Sequence, residues 1–181
     1  NILNKYAPCV IGIDAFFSDP GDPLENVKLE MALTQKNNVI LSSTLIETDT
    51  MEIDEGIFCE PVQLPCGYNN FNAPTEISVV RSYFSHVIID HKKQESFSSL
   101  IVKLFDSTKY HALQKRKDDM EMINYTANLE NFFNISREQL MEYDSTGQLD
   151  RLNGKIILMG FFKSSPPSVS YKNLTLPTSA L

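Results

Sequence analysis

Three aspartates, Asp14, Asp19 and Asp22, fall within nine residues of sequence. Carboxylates so close together can hold a cation, exchange protons or accept hydrogen bonds from a ligand. The intervening Asp19-Pro20-Gly21-Asp22-Pro23 lacks the dense oxygen-ligand spacing of a calcium loop, so no metal site is expected. Asp14 ends the apolar run Cys9-Val10-Ile11-Gly12-Ile13. That is the carboxyl end of a buried strand, where ligands gather in open α/β sheets. The alternative is a helix cap or a loop hydrogen bond. Arg81 is the one full charge within Ile77–Ile89. Its guanidinium fork suits a carboxylate ligand, and a structural ion pair is the alternative.

His86 and His91 stand five residues apart, which puts them on opposite faces of a strand or well round a helix, so they do not share a metal. His111 beside Tyr110 reads as a surface or packing residue. No GxSxG, GxGxxG or GxxxxGK[ST] occurs, and with them go the hydrolase, dinucleotide and nucleoside-triphosphate signatures. No catalytic residue and no cofactor is expected. An enzyme using Asp14 with a loop acid stays as a competing class.

Cys59 and Cys66 bracket the loop CEPVQLPC, and Cys9 opens an apolar run. A bridge between 59 and 66 would restrict the unfolded chain by about 2.5 kcal/mol, and two free thiols are the alternative. Asn124, Asn134 and Asn173 sit in N-x-[ST] sequons at a frequency close to chance.

These residues need elements to position them. The run Cys9–Asp14 reads as a strand buried on both faces. Asp22 as N-cap, Pro23 at the first turn and Glu25 after it predict a helix to about Lys36, with Leu24, Val27, Met31 and Leu33 near helical spacing. The β-rich VILSSTLI follows, making one βαβ unit and hence a parallel strand pair. Residues 47–75 read as a surface lobe, mostly loop with one short strand. Residues 77–90 read as one long strand or a hairpin. Ser96 caps a helix expected to bury Leu100, Ile101, Leu104 and Phe105. Met122–Tyr125 is strand-like, Ser136 opens a helix through Leu140 and Met141, and Lys155–Gly160 is the last buried strand. The alternation predicts a three-layer α/β domain around a mostly parallel sheet, with residues 1–181 as one domain.

Strands ending at Asp14, after Ile46 and at Gly160 would share one edge. The loops there carry Phe16, Phe17, Asp19 and Phe161. An aromatic, weakly charged edge suits a small organic ligand better than a phosphate or a metal, unless the rings merely complete the core.

The 181 residues carry 16 Lys and Arg against 23 Asp and Glu, a net charge of −7 that argues against nucleic acid as partner. The excess is uneven: the last 31 residues carry +4 and the rest −11. Eleven Phe and seven Tyr give a core that a disordered segment lacks. No apolar run reaches the roughly 18 to 20 residues of a membrane-spanning helix. With Asn1 at its start and no leader, the chain reads as a domain excised from a longer protein.

In order, VIGIDAFFSDP, LENVKLEMAL before VILSSTL, GYNNFNAPTEISVVRSYF, MINYTANLENFFNISREQLME and LNGKIILMG resemble the type-two CHASE domain, the cyclase and histidine-kinase associated sensory extracellular domain. The similarity runs from about residue 9 to 160. Ile13-Asp14 matches the family's opening strand, Gly67–Asn70 its Gly-x-x-Asn segment, Arg81 the Arg of its next strand, and Asn124-Tyr125 its Ile-Asn-aromatic strand. The family's late Asp after the final Gly has no counterpart, since Phe161-Phe162-Lys163 follows Gly160, and only Glu76 can stand in for its acid-rich turn.

The resemblance implies a bacterial extracytoplasmic (periplasmic or extracellular) sensor without catalytic activity, anchored by membrane helices before residue 1 and after residue 181. A cytoplasmic kinase, cyclase or similar output would follow. The ligand-binding candidates are Asp14, Phe16, Arg81 and Asn124, the partner an unidentified small molecule. Homodimerisation stays open, as does a cell-surface interaction module built on residues 47–75.

Overall fold

Asp22 begins the first long helix by accepting hydrogen bonds from the backbone N–H of Leu24 at 2.7 Å and Glu25 at 3.3 Å. The computed structural model describes residues 2–19, 21–47, 51–59, 64–70, 80–116, 120–125 and 131–160. After a short helix α1 (Ile2–Lys5), strand β1 (Val10–Asp14), helix α2 (Pro23–Thr34) and strand β2 (Val39–Glu47) form the expected βαβ unit. β1 and β2 are parallel, Ile11 opposite Val39 and Ile13 opposite Leu41.

Two further strands come from the region expected to be mostly loop. β3 (Met51–Asp54) pairs antiparallel with the end of β2, and β4 (Cys66–Tyr68) pairs parallel with its middle. A strand turns alternate backbone groups to opposite edges. Leu41 N–H donates to Pro65 and Ser43 C=O accepts from Asn69, so residues 41, 43 and 45 of β2 face β4. β3 therefore meets the opposite edge of β2, the one β1 occupies lower down, and continues beyond the end of β1. The last sheet strand (Ile156–Gly160, β9 below) pairs parallel with β1, Asp14 opposite Gly160, and completes the order β3-β2-β1-β9. Among the described residues it is a half-buried edge strand, not the fully buried strand its apolar run implied.

Helices cover both faces of this sheet. Helix α3 (Phe97–Phe105) lies so close that a Cβ on Gly12 would come within 2.9 Å of the Phe97 and Ile101 side chains, and one on Gly67 within 2.6 Å of Phe97 N. Only a residue without a side chain permits that approach. The other face packs Ile11, Val39 and Leu41 against Leu33 of α2, Leu3 of α1, Phe58, and Leu149 and Leu152 of a 3₁₀ helix (Gln148–Leu152). The result is a mixed α/β fold with a central, mostly parallel sheet between flanking helices.

The remaining elements correct the sequence reading in three places. First, the segment 77–90, where described, is neither one strand nor a hairpin on itself. It breaks at Ser85 into β5 (Ser82–Phe84) and β6 (His86–Ile89), because Ser85 C=O is taken by Ser96 N–H at 3.0 Å and Ser99 Oγ at 2.9 Å. β5 pairs with β8 (Met120–Met122), and β6 with β7 (Lys92–Glu95) through a turn in which Asp90 and His91 both have positive φ. Second, α3 buries Leu100 and Ile101, but Leu104 and Phe105 lie in its last turn, past the sheet, and are exposed. Third, α2 packs through Leu33 alone of its four spaced apolar residues. Leu24 and Met31 are 73% and 68% exposed on the opposite face.

The chain between the β7 end and the sheet strand Ile156–Gly160 adds helix α4 (Ser107–Gln114) and helix α5 (Arg137–Thr146). In α5, Ser136 and Gln139 cap each other's backbone N–H groups.

Candidate functional site

The carboxyl ends of the four parallel strands meet at one edge, and Asp14 is the acid that β1 delivers there. Asp14 Oδ1 accepts a hydrogen bond from Asn69 Nδ2 at 2.8 Å. Asn69 is fixed in turn by its backbone N–H, which donates to Ser43 C=O at 3.1 Å. The next residue, Asn70, acts as a surrogate strand: its Oδ1 accepts from Leu45 N–H at 2.7 Å and its Nδ2 donates to Leu45 C=O at 2.9 Å. The two asparagines thus tie the chain leaving β4 to both β1 and β2.

The second oxygen of Asp14 lies beside Gly160 of β9. A Cβ there would stand 4.0 Å from Asp14 Oδ2 and 3.4 Å from its backbone oxygen, so glycine at this position places no side chain of its own against the carboxyl. Among the described residues no cation pairs with Asp14. Phe17 C=O accepts from Ile57 N–H at 2.9 Å, and the Phe17 ring meets Phe58 edge-on at 5.3 Å. Phe17 completes the core, as one sequence reading allowed. Phe16, pinned beside Gly56, remains 39% exposed. Phe161 and Glu76 lie outside the described residues, as does Asn173. Deeper in β2, Ser43 is 2% exposed and its hydroxyl has no hydrogen-bond partner among the described residues.

Arg81 and Asn124 are placed together, but elsewhere. Arg81 C=O accepts from Ile123 N–H at 2.9 Å, and the Tyr125 hydroxyl donates to Val80 C=O at 2.6 Å. Both candidates are exposed at one end of the β5–β8 ribbon, and among the described residues nothing links them to Asp14 or Phe16. The structural ion pair considered for Arg81 is not formed with any described acid. The ribbon joins the sheet at its other end, where the Tyr68 hydroxyl donates to Phe84 C=O at 2.6 Å. Burial, with Tyr83 nearby, pushes the Tyr68 phenol well above its ordinary range, so it stays a donor.

A polar cluster absent from the sequence reading holds the β6–β7 hairpin to the helices. Glu95, at the end of β7, accepts from the Tyr110 hydroxyl of α4 and from Lys103 Nζ at 3.0 Å. Burial raises the Glu95 carboxyl, but the Tyr110 and Lys103 bonds outweigh it and hold it below the usual carboxylate range. Burial and the Glu95 charge push Tyr110 up to about 12. The residues are distant in sequence and show no motif.

Cys59 and Cys66 are joined in a disulfide with Cα atoms 5.9 Å apart, and Cys9 is a partly buried free thiol. Among the described residues no three His, Cys, Asp or Glu side chains converge on a metal position. Nor is any helix there long and apolar enough to cross a membrane.

The family model for the CHASE2 domain matches residues 1–174. The chain belongs to the CHASE2 family. No significant match to it is found among curated proteins or among solved structures. CHASE2 domains are sensory and extracytoplasmic, which supports a sensor role. The match extends the similarity read from the motifs towards both ends of the chain. Asn69 and Asn70 fall in the Gly67–Asn70 segment by which the family was legible, although their bonds to Asp14 and Leu45 were not.

Proposed function

We propose that this CHASE2 chain, residues 1–181 as one domain, is the extracytoplasmic ligand-binding part of a bacterial membrane protein. Membrane helices flank it, and it relays binding to a cytoplasmic kinase, cyclase or similar output. It acts by binding and not by catalysis. Asp14 and Phe16 provide the principal ligand contacts, while Arg81 and Asn124 form a second exposed surface on the β5–β8 ribbon.

The observation that supports this most is the Asn69–Asp14 hydrogen bond at the shared edge of the parallel strands. A ligand that competes for Asp14 changes what holds the β4 end, and a sensor needs such a difference between its free and bound states. The test uses the full-length protein in its native membrane. A membrane-impermeant maleimide should label Lys28→Cys on α2 in intact cells, and Asp14→Asn should change the output at unchanged abundance. Labelling only after lysis, or an unaltered output, contradicts the proposal.

The solvent-facing Leu24, Val27 and Met31 favour a second reading, in which this face of α2 contacts another protein chain. Loss of a co-purifying chain on Met31→Lys, with the output otherwise intact, would mark that reading.

A further inference from the structure

Asp14 combines features that together narrow the ligand. It is partly buried and has one oxygen committed to an amide. Its other oxygen accepts no hydrogen bond among the described residues and lies beside Gly160, which brings no side chain of its own against it. A partly desolvated carboxylate with a single amide donor is undersatisfied, and a cation is the group that satisfies it best. Neutral donors gain less, and an anion is repelled.

Three further features of the chain have the same sense. Asp19 lies in the loop leaving β1, and its Oδ1 accepts from Gly21 N–H at 2.9 Å. The chain as a whole carries a net charge of −7, a field that concentrates cations and depletes anions. Phe16 offers an exposed ring two residues from Asp14. An aromatic face attracts an ammonium group as well as an apolar one.

The geometry points to a small organic amine, cationic and carrying an apolar group, as the ligand of the Asp14 edge; this rests on the binding role proposed above for that edge. The ammonium bonds Asp14 Oδ2, the apolar group lies on Phe16, and Asn69 keeps Oδ1 oriented. No bond is made or broken.

The probes are phenethylamine, its neutral counterpart 2-phenylethanol and its charge-inverted counterpart phenylacetate, titrated calorimetrically into the full-length protein in membrane vesicles. The amine is expected to bind at least tenfold more tightly than either counterpart. Asp14→Asn should weaken it at least tenfold, and Lys28→Ala should leave it unchanged. If Asp14→Asn does not fold, Phe16→Leu carries the test, with an expected loss of about threefold. Asp14-dependent binding of 2-phenylethanol or phenylacetate without preference for the amine overturns the ligand class and leaves the binding edge standing. Amine binding unaffected by Asp14→Asn and by Phe16→Leu overturns the inference and places the site elsewhere. No binding of any probe overturns the inference, and an unaltered output of Asp14→Asn then removes the edge as well.

Discussion

Asn69 Nδ2 donates to Asp14 Oδ1 at 2.8 Å and so links the ends of two strands, β4 and β1, that are not neighbours in the sheet. β2 lies between them, and the bond crosses it. Hydrogen bonds to charged groups contribute about 1.5–3 kcal/mol when well buried, and this half-buried one should contribute about 1 kcal/mol. Asn69→Ala and Asp14→Ala should each destabilise the fold by that order. Their double mutant should lose less than the sum, measured as a coupling in urea unfolding. Additive losses would show that the bond holds nothing.

The disulfide joins the segment after β3 to the first residue of β4. Replacing Cys59 and Cys66 together by Ser should lower stability by about 2–3 kcal/mol through the freed unfolded chain. Denaturant midpoints of the oxidised protein and the double variant decide this. Equal midpoints contradict it.

Two glycines separate space from backbone conformation. Gly67→Ala puts a methyl 2.6 Å from Phe97 N, a backbone atom that cannot swing aside, and should cost about 2–4 kcal/mol. Gly147→Ala meets open space, but φ of +71° strains any L residue, and the cost should be about 1 kcal/mol. Thermal melts should rank Gly67→Ala as the worse of the two, and the reverse order would contradict the seating of α3 on the sheet.

The βαβ unit was legible because Asp22, Pro23 and the apolar runs on either side are local signals. The same is true of the Ser96 and Ser136 caps. What was not legible depended on distant partners. Ser85 breaks a continuous β-rich run only because Ser96 and Ser99 claim its carbonyl. Leu104 and Phe105 have the right spacing for burial, but the sheet ends before the helix does. Of the candidate site, Asp14 could be read from the end of an apolar run. Its partner Asn69, 55 residues away, could not. Arg81 stood out as the one charge in an apolar run, and its place at the end of a two-stranded ribbon, exposed to solvent, depends on pairing that the run does not show.

Glu95 gives the fold an acid dependence with a definite sign. Its carboxyl is held below the ordinary value in the folded state, so its contribution is present above the unfolded value, about 4, and is lost as pH falls through the folded one. Unfolding midpoints taken from pH 6 to pH 2 should therefore fall less steeply for Glu95→Gln, and also for Tyr110→Phe, which removes a bond that favours the charged form. An unchanged slope in both variants would contradict the role of this pair.

Arg81→Ala should leave the melting temperature within about 1 °C, since an exposed charge without a described partner contributes little to stability. A loss of several degrees would mean that its side chain has a structural partner after all.

The proposed place of signal detection is the edge where Asp14 and Asn69 meet. Its most direct measurement is the proposed signalling output of the full-length protein, compared for wild type, Asp14→Asn, Asn69→Ala and Lys28→Ala at equal abundance. Asp14→Asn and Asn69→Ala should lose the response or lock it in one state, while Lys28→Ala should respond as wild type. A normal response from both Asp14→Asn and Asn69→Ala would contradict it.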